Sequence, residues 1–202
     1  MVELEIADIR NAENPSEAYI LVLKEKNGNK IVPVMIGWSE ARALVLAMDR
    51  NSVPRRPTTH DLLIALAENA LFTLQYVHIF KFEEGVFFAS IYVKDAKKKE
   101  FAIDSRTTDA VTLALKCKIP IYMEDEVFEE KAIALESVGE MQETPFSYAK
   151  QNELLSEENY MNYQLQNMTV DELEDILEGA VESEDFELAS KIHAELEKRG
   201  KS

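Results

Sequence analysis

The stretch AYILVLKEKNGNKIVPVMIGW, residues 18–38, decides the fold class. Two apolar runs, Ala18 to Leu23 and Ile31 to Ile36, flank Asn27-Gly28, the strongest hairpin signal in the chain. They read as antiparallel strands. Pro33 has no N–H to give to a ladder, so it belongs near an edge, at a bulge, or where the N–H would point outward. Gly37 ends the second strand. From Trp38 to Met48 the apolar residues fall at helical spacing, with Ala41, Leu44, Val45 and Met48 on one face.

Working outward, Val2, Leu4, Ile6 and Ile9 form an opening strand. Prolines interrupt residues 51–57, which read as a loop. A second helix runs from Thr58 or Thr59 to about Asn69, with Leu62, Leu63, Leu66 and Ala70 expected as its buried stripe. Segments 74–82 and 86–93 are strands joined by the tight turn Glu83-Glu84-Gly85, and a third strand, 100–104, follows a basic turn of Lys97, Lys98 and Lys99. A helix spans about 107–116, then a short strand at 119–123 begins around Pro120, which suits an edge strand or a strand's first residues. Residues 124–134 read as a short closing helix. The order of elements predicts an α+β fold: a mainly antiparallel or mixed sheet with helices packed on it, followed by a C-terminal αα-hairpin. No glycine-rich phosphate loop joins a strand to a helix, so dinucleotide-binding and P-loop folds are excluded.

The chain has 202 residues, 46% of them hydrophobic, which is ample for a core. Its single cysteine, Cys117, excludes an intramolecular disulfide and reads as structural; His60, His78 and His193 are too scattered for a histidine metal cluster. No apolar segment is long enough to span a membrane, and the acidic, alternating N-terminus is no signal peptide, so a cytoplasmic protein is expected. The net charge of -16 has an address: residues 1–123 hold 16 acidic and 16 basic side chains, and residues 124–202 hold 22 acidic and 6 basic. The second part repels nucleic acid and suits a basic protein surface.

These shifts divide the chain into a domain at 1–135, a partly helical linker at 136–168 and a helical hairpin at 169–199. Thr169 and Glu172 form a capping box. Leu173, Ile176, Leu177 and Ala180, then Phe186, Ala189, Ile192, His193 and Leu196, make two facing apolar stripes, with His193 expected to be packed and half-buried. Helices this short need a partner surface.

Two stretches carry candidate chemistry. Arg55-Arg56-Pro57-Thr58-Thr59-His60-Asp61 and Asp104-Ser105-Arg106-Thr107-Thr108-Asp109 each combine arginine, hydroxyl residues and an aspartate at a helix start. Brought together, they would suit metal-assisted phosphodiester hydrolysis. Asp61, Asp104 and Asp109 are the candidate ligands for Mg²⁺ or Mn²⁺, which favour oxygen donors. Arg56 and Arg106 would neutralise the phosphate and His60 would act as a base or an acid; the candidate catalytic set is Arg56, His60, Asp61, Arg106 and Asp109. The same residues also fit a structural network: Thr58 and Asp61 have capping-box offset, Ser105 or Thr107 would cap the next helix, and the arginines would pair with the aspartates. Glu40 would sit at the surface or reach a shared cleft, and Trp38 would be a core anchor. The lysine turn would be a solvated hairpin tip or touch a nucleic acid backbone.

The combination of Val34-Met35-Ile36-Gly37 with Glu40-Ala41, Arg56-Pro57-Thr58-Thr59-His60-Asp61-Leu62-Leu63, Phe87-Phe88-Ala89, Ile103-Asp104-Ser105-Arg106-Thr107-Thr108-Asp109-Ala110, Leu113-Ala114-Leu115 and Pro120-Ile121-Tyr122 resembles the bifunctional nuclease domain family over residues 1 to about 135. At the second site the family more often has Arg-Pro-Ser-Asp-Ala; here Thr107 replaces the proline and Thr108 the serine. The resemblance implies a nuclease acting on DNA and RNA, single-stranded substrates included, that self-associates as a homo-oligomer. Leu173, Leu177, Ala180, Val181, Asp185-Phe186-Glu187, Ala189, Ile192, Glu195 and Leu196 resemble the UvrB/UvrC motif, which implies a docking hairpin for a protein partner. The competing expectation is a non-enzymatic adaptor whose Arg/Asp network is structural. A third is a small-anion site. An open cleft holding two carboxylates and an arginine favours the enzyme; side chains paired beneath a packed surface favour the adaptor; a closed, narrow pocket favours the small anion.

Overall fold

The computed structural model describes residues 1–11, 19–48, 54–135 and 156–200. Residues 1–147 and 148–202 form two separate units. In the first, the expected hairpin is β2 (Tyr19–Glu25) and β3 (Lys30–Ile36), preceded by β1 (Val2–Asn11). Its connection is the longer loop 26–29, and neither Asn27 nor Gly28 takes a positive φ. Register sets Leu21 opposite Val34 and Leu23 opposite Val32, all four buried, while Met35 points outward and is 69% exposed. Pro33 is tolerated because β8 (Ile133–Ala134) reaches only Lys30 and Ile31, leaving the rest of β3 as an edge.

A second meander follows: β4 (Thr73–Glu83), β5 (Val86–Lys94) and β6 (Glu100–Arg106). Glu84 and Gly85 both take positive φ in the first of its turns, where a tight hairpin needs it. In the second turn Asp95 Oδ1 accepts the Lys97 and Lys99 N–H groups at 2.8 and 2.9 Å, so the lysines form an ordered hairpin tip. The two meanders are joined by β7 (Ile121–Met123), which lies between β4 and β1, giving the order β6-β5-β4-β7-β1-β2-β3-β8. Only β4 and β7 run parallel, so the sheet is mixed. Pro120 stands just before this central strand, its carbonyl accepting the Val77 N–H at 3.0 Å.

Helices α1 (Trp38–Met48) and α3 (Thr107–Cys117) pack side by side on the sheet. Ala41, Leu44, Val45, Ala110, Val111 and Ala114 are fully buried, and Trp38 is a core anchor with the Arg42 guanidinium 5.6 Å from its ring. Each buried Leu or Val stabilises the fold by about 1.5–3 kcal/mol relative to exposure. Helix α2 (Thr59–Asn69) forms as its sequence directs but buries no residue: Leu62, Leu63 and Leu66 are 55%, 47% and 58% exposed. The expected buried stripe is therefore corrected. Leu63 and Leu66 border an open cleft, Leu62 faces elsewhere, and α2 is held by polar ties at its first turn. Helix α4 (Asp125–Lys131) buries Val127 and Phe128.

The second unit contains α5 (Glu157–Asn167), α6 (Val170–Glu182) and α7 (Phe186–Gly200). Thr169 and Glu172 make the expected capping box. Leu173, Ala180 and Ile192 form the core together with Leu165 of α5, so part of the segment read as linker packs with the hairpin. Arg199 locks this arrangement, donating to the carbonyls of Leu165 and Gln166 at 2.9 and 2.8 Å. His193 is exposed rather than packed, and Phe186 is 69% exposed. The remainder of the linker, 136–155, and the position of Arg50 lie outside the described residues. Among the described residues no helix is long and apolar enough to cross a membrane.

Candidate active site

The two meanders feed their helices in the same way. β3 ends at Ile36 and α1 begins two residues later; β6 ends at Arg106 and α3 begins at once. Glu40 is the third residue of α1 and Asp109 the third of α3, each where a helix dipole favours a carboxylate. Because α1 and α3 lie side by side, both carboxylates reach one guanidinium. Arg106 Nη1 donates to Glu40 Oε1 at 3.0 Å, and Arg106 Nε to Asp109 Oδ2 at 2.7 Å. From α2, His60 Nε2 lies 3.1 Å from Asp109 Oδ1. The result is a chain, Glu40–Arg106–Asp109–His60. His60 is the least accessible member, its side chain 12% exposed, and Arg106 is the most accessible at 68%.

Partial burial pushes the Asp109 carboxyl up, but the Arg106 guanidinium and then His60 outweigh it, so the net shift is downward and Asp109 is anionic at neutral pH. Its partner's pKa moves the other way: the hydrogen bond and charge of Asp109, then Glu40, raise that of Arg106. An anionic Asp109 requires His60 Nε2 to carry the proton of their hydrogen bond. Nδ1 is then the free acceptor of the ring.

Gly37 makes room for this network. A Cβ there would stand 2.7 Å from Glu40 Oε2, the oxygen that accepts the Ser39 hydroxyl. The Gly37→Ala protein is expected to fold normally, since the end of Glu40 can swing aside, but to lose the Glu40–Arg106 contact. A crystal structure of the variant beside its melting curve checks this: an Arg106 guanidinium no longer within hydrogen-bond reach of Glu40, with an unchanged melting curve, is the expected pair.

Neither Ser105 nor Thr107 caps α3, which corrects that expectation. Thr107 Oγ1 donates to the Phe87 carbonyl at 2.9 Å and Ser105 Oγ to the Arg106 carbonyl at 3.1 Å; Arg106 is the N-cap residue and gives no side-chain cap. The first N–H groups of α3 therefore have no capping side chain beside Arg106.

Asp61 is placed differently from Asp109. It closes the capping box with Thr58 and accepts Lys116 Nζ of α3 at 2.8 Å. The Lys116 hydrogen bond, helped by Thr58 against the effect of burial, holds its carboxyl down to about 2. A depressed carboxylate stabilises the fold fully above its ordinary value of 3.8, and that contribution fades as pH falls toward about 2. Asp61→Asn is expected to cost about 1–2 kcal/mol near neutral pH, after allowing for solvent screening, and less at low pH. Denaturant unfolding at both pH values checks the sign.

Asp104 lies opposite Ser90 on β6 and lines the same cleft as Arg106 and Asp109, whereas Asp61 does not line it. Arg56 is exposed and makes no ion pair with a described residue. Among the described residues no group of three or more His, Cys, Asp and Glu side chains is arranged to hold a metal ion. Asp61, Asp104 and Asp109 thus do not converge as one donor set for Mg²⁺ or Mn²⁺. Glu40 and Lys116 are the participants that sequence spacing did not place in the network.

The chain opens onto a cleft of about 910 Å³ bordered by Glu40, His60, Arg106 and Asp109 and otherwise mostly by aliphatic side chains of α1, α2 and β4 to β6. An arginine clamped between two helix-start carboxylates, with a mostly buried histidine behind it, stands at the mouth of an open cleft in an α+β domain. The chain belongs to the bifunctional nuclease domain family, which residues 21–136 match. A Mycobacterium tuberculosis relative, named an uncharacterized protein, is 33% identical over 136 residues, covering 67% of this chain and 79% of its own. Rice bifunctional nuclease 1 is 24% identical over 105 residues, 51% of this chain and 32% of that protein. Arabidopsis thaliana bifunctional nuclease 2 is 24% identical over 113 residues, 55% and 34% respectively.

Proposed function

We propose that this protein hydrolyses phosphodiester bonds of DNA or RNA at the Glu40–Arg106–Asp109–His60 chain. The observation that carries the reading is that chain itself, set at the mouth of an open cleft, in a member of the nuclease family. Arg106 Nη2 takes part in neither ion pair, and on a side chain 68% exposed it would meet a phosphoryl oxygen and stabilise the charge that develops there. The uncapped N–H groups of α3 would add to that anion site. His60 Nδ1 would take a proton from the attacking water and return it to the leaving oxygen, so the dyad ends the cycle unchanged. Asp109 fixes the tautomer, and Glu40 holds the guanidinium in plane. Exposed Arg55 and Arg56, just before α2, would meet flanking phosphates.

The three aspartates predict Mg²⁺ or Mn²⁺; because no three His, Cys, Asp or Glu side chains gather among the described residues, no step above runs through a metal. The open cleft with two carboxylates and an arginine supports the enzyme over the adaptor. Residues 169–199 would serve as a UvrB/UvrC-like docking hairpin, offering Val181 and Phe186, 54% and 69% exposed. Self-association would use exposed Leu62 of α2.

The test is cleavage of labelled single-stranded DNA and RNA, with Mg²⁺, with Mn²⁺ and with EDTA. The wild type is compared with a folded Asp109→Ala protein. Cleavage that disappears in the variant supports the proposal. Cleavage by neither, or equally by both, defeats it, and the EDTA arm decides the metal requirement.

A further inference from the structure

The cleft beside Arg106 has two unlike ends. The charged cluster sits where β6 ends, at Arg106 opposite Phe88. Five residues further along β5, about 17 Å away, Val93 lies opposite Phe101. Between and above them the walls are mainly apolar, Leu46, Leu63, Leu66, Phe72, Val93 and Ile103 among them, with Arg42 of α1 as a charged lining residue beside the cluster. Several of these remain wet: Leu63 is 47% exposed, Leu66 58%, Ile103 48% and Phe72 37%. No described residue of the unit covers them.

A phosphodiester backbone is excluded from such a space, because an anion taken into aliphatic surroundings loses its solvation without compensation. A nucleobase is not excluded. Its faces are apolar, and a cavity of about 910 Å³ is ample for one nucleoside. Charge at one end and apolar walls at the other match a nucleotide entered base-first, with its phosphate left at the rim on Arg106.

We infer that this cleft is the base-binding part of the nuclease site: it takes the unstacked base of the nucleotide whose phosphate lies on Arg106. The inference rests on the nuclease reading above. It has two consequences. A base inside a duplex must first be unpaired and unstacked, so single strands are the better substrates. The walls away from the cluster are mainly apolar, with few donors or acceptors to read a base edge, so cleavage discriminates weakly between bases, as on a stacking platform.

The test uses the full chain and three labelled substrates: an intact single strand, the same strand with an abasic nucleotide beside each tested bond, and the duplex. The intact single strand is expected to be cleaved about 10- to 100-fold faster than the other two. Leu66→Trp fills the cleft from an exposed helix position, and Ile103→Trp fills it from the sheet should the first fail to fold. Either is expected to slow the intact strand to the abasic rate. In parallel, a single strand carrying 2-aminopurine is mixed with each protein; its emission is expected to change with the wild type and not with the filled variants.

Equal cleavage of all three substrates, with no emission change, overturns the base site and leaves the nuclease standing. No cleavage of any substrate defeats the nuclease reading, and the emission then decides separately. A change lost in Leu66→Trp keeps the cleft as a base site, and no change overturns it. An oligomer that Leu66→Trp dissociates in sedimentation, again with no emission change, assigns the cleft to a second copy and also overturns it.

Discussion

Arg106→Ala is expected to lower kcat/KM for single-stranded RNA or DNA by about 10²- to 10³-fold, the usual loss when one charge-stabilising donor is removed from a site. The fold should survive, because the Arg106 side chain is 68% exposed and supports no core. The electrostatics of what remains are worse than a simple deletion. Glu40 and Asp109 are both drawn toward the same guanidinium, and without it two carboxylates face one site with no cation between them. The burial that already pushes Asp109 upward is then opposed only by His60. A higher Asp109 pKa weakens its grip on the His60 proton, so the variant loses phosphate binding and tautomer control together. Arg106→Lys is expected to recover little, since one ammonium cannot hold both carboxylates in the fork geometry that Nε and Nη1 provide. Steady-state cleavage, with circular dichroism to confirm folding, measures both variants.

The second large effect is expected at His60. Its side chain is mostly buried and, among the described residues, hydrogen-bonds to Asp109. His60→Gln keeps a donor for Asp109 but has no group that takes up a proton near neutral pH. A loss of about 10²- to 10⁴-fold in kcat is expected, the range for removal of a general base, with KM nearly unchanged. The kcat–KM split and the melting curve separate this from a structural role. A variant with the wild-type melting curve, a lowered kcat and a nearly unchanged KM is expected. If His60 only pins α2 to α3, the variant keeps the wild-type kcat and melts earlier.

Much of the first unit is legible in its sequence because the relevant forces are local. Asn27-Gly28 and Glu84-Gly85 mark hairpins, Gly37 and Arg106 sit where strands give way to helices, and the period of apolar residues separates α1 and α3 from the strands. Thr58 and Asp61 announce a cap by offset alone, and the cap is present. What could not be read is whatever depends on which surface lies opposite. The leucines of α2 have helical spacing, and spacing does not say that a cleft rather than a core faces them. His193 shares an apolar stripe in sequence yet points to solvent.

The candidate site divides along the same line. His60, Arg106 and Asp109 were chosen for chemistry at two helix starts, and α1 packing on α3 is what joins them. Glu40 was underrated because its partner is 66 positions away in the chain. One local signal pointed to it: a glycine three residues before a first-turn carboxylate, leaving space for the acid. Asp104 and Asp61 share the composition of the site, but Asp104 borders the cleft without joining the ion-pair chain, and Lys116 holds Asp61.

The most direct test of the central claim is chemical rescue. Arg106→Ala protein is assayed for cleavage of a labelled single strand with increasing free guanidinium, beside wild type and Asp109→Ala. The account requires that guanidinium restore part of the cleavage to Arg106→Ala and to neither of the others, which also excludes a co-purifying nuclease. Unimpaired cleavage by Arg106→Ala, or no cleavage by the wild type, would contradict it.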